Sequence, residues 1–228
     1  MSVKRLLLQS DRVRMSVLTG IVGMLTMLGA FSGCSQIADP NPQAPKAEQN
    51  VKNYYILLEA PNMVYHYNFA SRDPYLPASD MLTMDMKGSD QNTTYQSMPV
   101  WTCLWSYATA GQPRPWFYAL SDTEAVGLGI EMYGQYTDSW VELKAPLSSG
   151  ATWTFTSQGE SVTATVAKYG VSATVNGKSY DDVVVVDYKG AAGTTGTTWF
   201  ARGIGTIYSH IERPGNEMMD LKFQSKTN

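Results

Sequence analysis

The sequence predicts an all-β protein, an antiparallel meander curled into a sandwich or partial barrel. Three observations carry this. Apolar residues recur at every second position in run after run beyond Tyr54, turn dipeptides separate those runs, and no segment after Cys34 shows a long helical period with caps. The chain has 228 residues, 43% hydrophobic and 11% aromatic, enough for one sizeable core. That composition excludes a disordered chain, a collagen-like chain and a disulfide-dense miniprotein. With 17 basic and 20 acidic side chains the formal net charge is -3, so no basic excess exists to pair with phosphates, which argues against nucleic acid as a partner.

The first element is an address. Lys4, Arg5, Arg12 and Arg14 form a positive region, an uncharged stretch runs from about Val17 to Phe31, and the small residues Ser32 and Gly33 precede Cys34. This order is that of a secretory signal peptide. The apolar stretch is short for a spanning helix, which needs about 20 apolar residues. Phe31-Ser32-Gly33-Cys34 resembles the lipobox of bacterial lipoproteins, with Phe31 where leucine is usual. The resemblance implies that Cys34 is acylated and becomes the first residue after cleavage of residues 1–33. Ser35, where aspartate would signal inner-membrane retention, implies the outer membrane if the organism is Gram-negative. Loss of the four basic and one acidic side chains of the signal takes the net charge from -3 to -6. An acidic balance suits a domain that does not lie flat on anionic lipid.

The second element, residues 35–52, holds Pro40, Pro42 and Pro45 among small and polar residues. It reads as an extended tether that, at ~3.1 Å per residue, reaches up to ~50 Å. Residues 53–228 then form a single β-rich domain, with a short helical turn near Val51–Leu58 at its entry.

The strands follow. Met63, Tyr65, Tyr67 and Phe69 share a face, with His66 and Asn68 opposite. Trp101, Cys103, Trp105 and Tyr107 alternate with Val100, Thr102, Leu104 and Ser106. Val162, Ala164 and Val166, then Val171, Ala173 and Val175, then Met219, Leu221 and Phe223 repeat the pattern. Alternation puts one face in a core and the other near water. Val183-Val184-Val185-Val186 is apolar on both faces and reads as a central strand. Asn176-Gly177 predicts a two-residue hairpin turn; Gln158-Gly159, Lys189-Gly190 and Pro214-Gly215 are further turn signals. The count comes to about eleven to thirteen strands, and Pro146 marks a seam between an aromatic-rich half and a Thr/Val-rich half.

The second half also resembles uncharacterised β-rich bacterial lipoproteins and envelope proteins. The resemblance lies in Gly150-Ala151-Thr152-Trp153-Thr154-Phe155, in Tyr180-Asp181-Asp182-Val183, and in Phe200-Ala201-Arg202-Gly203-Ile204-Gly205. Phe155 stands where tyrosine is common. The resemblance covers about residues 145–212 and implies architecture, not catalytic residues.

The motifs of catalysis are missing, and the sequence leans away from an enzyme. Gly203-Ile204-Gly205 and Gly127-Leu128-Gly129 lack the context of a nucleotide loop and read as bulges or close backbone approaches. Cys103, the one cysteine besides Cys34, sits among tryptophans and reads as a buried hydrophobe. Tyr208, His210 and Glu212 share a strand face that an exposed polar surface explains. Asp181 and Asp182 point to opposite faces if extended, so they do not form a carboxylate pair. No metal-ligand spacing occurs, and neither a metal nor a cofactor is expected.

Trp101, Trp105, Tyr107, Trp116 and Tyr118 are the candidate ligand-binding residues, because flat apolar rings with polar edges hold sugars and hydrophobic ligands. Their plainer role is core filling. The expectation is therefore a lipid-anchored protein of the cell envelope with a non-enzymatic binding or structural domain, joined to the membrane through its N-terminal lipid. The alternatives are a carrier of lipid or another hydrophobic ligand, and a glycan-binding module or weak hydrolase. An envelope protein, a lipid or a glycan would be the partner.

Overall fold

The period-two runs become strands of a nearly closed barrel. The structure is a computed structural model that describes residues 46–55, 62–73, 76–109, 112–129, 131–132, 135–136, 138–215 and 217–227. The signal peptide, Cys34 and the tether up to residue 45 lie outside the described residues. The strands are β1 (Val64–Ser71), β2 (Ser79–Tyr95), β3 (Met98–Tyr107), β4 (Arg114–Leu120), β5 (Glu124–Gly129), β6 (Glu131–Met132) and β7 (Gln135–Tyr136). There follow β8 (Trp140–Lys144), β9 (Thr152–Ser157), β10 (Glu160–Val175), β11 (Lys178–Gly190), β12 (Thr195–Ala201), β13 (Gly205–Arg213) and β14 (Glu217–Thr227). Twelve form one sheet in the order β8-β5-β4-β3-β2-β1-β14-β13-β12-β11-β10-β9, and β6–β7 is a separate hairpin. All twelve pair antiparallel, and β14 returns to pair with β1. The valine run lies in β11, between β10 and β12, as a two-faced apolar strand should.

The sheet's two edges, β8 and β9, are consecutive in sequence, joined through Pro146. They meet without a backbone ladder, and side chains close the gap. The Trp153 indole N–H donates to the Val141 carbonyl at 3.1 Å. The Ser157 hydroxyl and the Gln158 N–H reach the Asp138 carboxylate at 2.8 and 3.1 Å. The Trp140 ring packs 5.0 Å from those of Phe155 and Tyr188. Covering edges in this way removes a template for aggregation.

The two ends of the barrel differ. At one end the segment 46–55 forms a plug. Glu48 pairs with Leu147, the 3-10 turn Val51–Tyr54 follows, and Val51, Tyr54 and Tyr55 are buried. The Asn50 side chain caps the turn by accepting from the Lys52 N–H. The long β10–β11 hairpin bends toward the end of β14, where the Asn176 amide donates to the Phe223 carbonyl at 2.8 Å. Bulges in β10 permit the bend. At its tip Asn176 and Gly177 take φ of 50° and 74°, the left-handed pair that the turn signal predicted. Gly203 and Gly205 sit in the β12–β13 turn, where the Gly203 N–H donates to the Asn53 carbonyl of the plug.

Outside the barrel, Met98, Val100, Ala119, Val126 and Leu128 form a second small core. Tyr136 of the β6–β7 hairpin covers it, 5.5 Å from the Phe117 ring. The opposite face of these same strands, with Cys103, Trp105 and Tyr118, joins the main core.

Candidate functional site

The barrel interior is not filled. A cavity of about 340 Å³ runs from beneath the plug to the other end of the barrel. That volume is at the lower end of the ~300–1,000 Å³ typical of ligand pockets. Its walls are mainly apolar and aromatic: Met84, Met86, Trp105, Trp116, Tyr118 and Leu221. Its rim is set by strand ends, with Asp73 after β1, Asp138 before β8, Arg213 closing β13 and Glu217 opening β14. Arg213 reaches Asp138 at 3.4 Å and lies over the Trp140 ring, 5.3 Å from its centre.

One acid, Glu142, lies deep within this apolar interior. Its position follows from a bulge. In the β5–β8 ladder Ala125 pairs with Leu143 and Val126 with Val141, so Glu142 has no partner of its own. An extra residue of this kind re-aims side chains that strict alternation would place elsewhere. Both Glu142 and Leu143 consequently turn inward: Leu143 joins the main core and Glu142 lines the cavity. The Tyr55 hydroxyl, at the foot of the plug, donates to Glu142 Oε2 at 2.7 Å. Oε1 lies over Gly127, where an added Cβ would sit 3.0 Å from it. Glycine there leaves the acid its space. The Tyr188 hydroxyl holds the Glu142 backbone carbonyl at 3.0 Å.

Burial pushes the Glu142 carboxyl up to about 7, against the Tyr55 hydrogen bond, which favours the ionised form. The Glu142 side chain is half-buried and lines the cavity. The tyrosines around it, Tyr55, Tyr67, Tyr118 and Tyr188, are all raised by burial, with the nearby acid adding to the effect. They stay neutral. Burial likewise raises the Cys103 thiol, which suits a packed hydrophobe better than a nucleophile.

No family model matches the chain, and no curated protein matches it in sequence. Among solved structures, a Bacteroides fragilis protein inferred to be exported, with a YmcC-like fold, is similar to it. The similarity spans 74% of this chain and 97% of that one, at 11% identity and a TM-score of 0.41.

The five candidate aromatics divide. Trp105, Trp116 and Tyr118 line the cavity, and the two indoles stack at 4.6 Å and 16°. Trp101 and Tyr107 pack against the main core and do not line it; Tyr107 rests 5.0 Å from Phe69. The Trp105 indole N–H is buried without a hydrogen-bond partner, though it lies near enough to Cys103 and Tyr118 to favour their ionised forms. His210 stands 3.7 Å from Glu212 and 3.9 Å from Asp220, away from the cavity. Asp182 is not extended; at a φ of 54° it turns to Arg202 and Tyr54, whereas Asp181 accepts from Ser172. Among the described residues no group of three or more His, Cys, Asp or Glu is placed to hold a metal.

Sequence reasoning missed Glu142. In Trp140-Val-Glu-Leu-Lys144 it reads as a polar residue on an ordinary amphipathic strand. The one available signal was Gly127-Leu128-Gly129, which marked a close backbone approach on the neighbouring strand.

Proposed function

We propose that this protein is a lipid-anchored envelope protein whose barrel binds a small hydrophobic ligand in its interior. The observation that carries the reading is the cavity: about 340 Å³, walled by stacked tryptophans and methionines, plugged at one end and rimmed by polar groups at the other. A barrel serving only as a scaffold would gain by filling that space, since cavities cost stability in proportion to their volume. Among the described residues the deep part of the cavity presents one acid, Glu142, and no nucleophile–base pair, so no observation favours catalysis. A glycan platform needs ring faces open to water, whereas Trp105 and Trp116 present theirs to each other.

Residues 1–34 support the location. Acylation at Cys34 would tether the domain through residues 35 onward, and Ser35 favours the outer membrane in a Gram-negative cell. The described chain enters at the plugged end, so the cavity mouth lies at the end of the barrel opposite the entry of the tether.

Titration of residues 35–228 with 1-octanol, followed by tryptophan fluorescence, tests the binding reading. Saturable change is expected, with affinity reduced about tenfold in Trp116→Ala, the order lost with one large aromatic ring of the cavity wall. Absence of saturable binding would overturn it. Fatty-acid labelling that persists in Cys34→Ala would overturn the anchor.

A further inference from the structure

The proposed ligand site has a charge signature that narrows the ligand class. Every charged residue lining the cavity is acidic except Arg213, which is engaged with Asp138. Deep inside, Glu142 has no basic partner among the described residues. Its Oε2 is taken by Tyr55, and its Oε1 faces the space that Gly127 leaves. The groups facing it are the hydroxyls of Tyr55 from the plug, Tyr67 from β1, Tyr118 from β4 and Tyr188 from β11. The Cys103 thiol of β3 lies in the same wall. None of these carries a positive charge. A buried carboxyl with no cation is costly to ionise, and aromatic faces around it attract cations. An anionic head group beside Glu142 would meet the repulsion of the acid once it ionises, with no cation there to offset it.

We infer that the cavity selects a small apolar molecule bearing a positively charged amine, with Glu142 Oε1 receiving the ammonium. This rests on the ligand-binding reading above and adds the class of ligand. A fatty-acid carboxylate is disfavoured once Glu142 ionises; a neutral alcohol fits the walls but gains no charge contact with the acid. The ammonium restores the ionised form of Glu142, so binding releases the acid's proton to solvent. Affinity for an amine then rises with pH between 6 and 8, approaching tenfold per pH unit below the acid's titration. Affinity for the alcohol does not.

The test is calorimetric titration of residues 35–228, which contain the whole compact unit Pro42–Asn228. The probes are octylamine, 1-octanol and octanoate. At pH 8 octylamine is expected to bind at least about tenfold tighter than octanol, the worth of one well-formed charged contact, and octanoate weakest. Glu142→Gln should abolish the amine preference, bringing octylamine and octanol to the same level. The wild-type ranking needs no variant, so a misfolded substitution does not spoil it. Octanol binding with no amine preference, or an amine preference that survives in a folded Glu142→Gln, overturns this inference and leaves the binding reading standing. If none of the three probes binds, the binding reading itself falls.

Discussion

Glu142 makes stability depend on pH in a direction opposite to that of most carboxylates, and a single substitution exposes it. Its folded-state titration lies at about 7, against 4.5 for an ordinary glutamate. Between those values the native protein holds a proton that the unfolded chain has released. Stability therefore falls as pH rises through this window. Each pH unit costs ~1.4 kcal/mol, so the loss between pH 4.5 and 7 approaches ~3 kcal/mol. Cavity water screening the carboxylate would lower that figure, which makes it an upper bound. Glu142→Gln keeps the shape and an acceptor for Tyr55 but has no proton to lose. The variant should match the wild type at pH 4.5 and exceed it by up to ~3 kcal/mol at pH 8. For a barrel of this size that is a Tm gain of ~6–12 °C. Every other ionisable group is common to both proteins and cancels in the difference. Thermal melts followed by circular dichroism at the two pH values measure it. A Tm difference that is the same at both would refute the placement of an unpaired acid inside the barrel.

Three further outcomes follow from other contacts. Arg202 bridges Glu48, Asp182 and Tyr54 to hold the plug, so Arg202→Met should cost about 1–3 kcal/mol in urea unfolding; an unchanged midpoint would deny the plug its clamp. Glu48 is lowered to about 2, first by the Asn50 backbone N–H and then by Arg202 and Asn53, against the effect of burial. Its contribution is present above pH 4.5 and lost as pH falls through 2, so Glu48→Gln should flatten the acid limb of the stability profile; an acid limb identical to wild type would contradict this. Gly196→Ala would place a Cβ 2.5 Å from the His210 carbonyl oxygen and from Ile211 Cδ1, and should destabilise by about 1–3 kcal/mol in the same assay; a neutral effect would refute the close strand approach.

The architecture was legible because its cause is local. Alternation in residues 63–69, 100–107 and 219–223 depends only on the pleat, and these runs became β1, β3 and β14 with Tyr67, Cys103 and Leu221 buried. Asn176-Gly177 announced its turn for the same reason: the φ values it needs are properties of those two residues. Closure was not legible. Whether the sheet curls into a sandwich or a barrel depends on the β1–β14 pairing, which is long-range, and on how the edges β8 and β9 meet, which side chains rather than a backbone ladder decide. The site was legible in part. Trp105, Trp116 and Tyr118 stood out by type, but which aromatics line a void is decided by how strands splay, and Trp101 and Tyr107 fell on packed surface. Glu142 was hidden because a bulge breaks the period that sequence reading relies on.

The bulge and the seam explain each other. A central strand is held by ladders on both sides, so an extra residue disrupts two registers. β8 has a backbone partner only in β5 and takes the insertion at the cost of one. Edge strands are where bulges gather for this reason. The carbonyls on either side of the distortion are then tied by side chains, Val141 by Trp153 and Glu142 by Tyr188. The seam thus does two things at once: it closes the barrel and aims the acid inward. If so, loosening one should release the other. Trp153→Phe removes the indole N–H and should cost about 1 kcal/mol by itself. It should also let β8 relax, so that an ionised Glu142 gains water and its penalty shrinks. The stabilisation brought by Glu142→Gln at pH 8 should therefore be smaller in the Trp153→Phe background, by at least ~0.5 kcal/mol in a double-mutant cycle. Additivity within ~0.3 kcal/mol would show that the seam closes the barrel without setting the site.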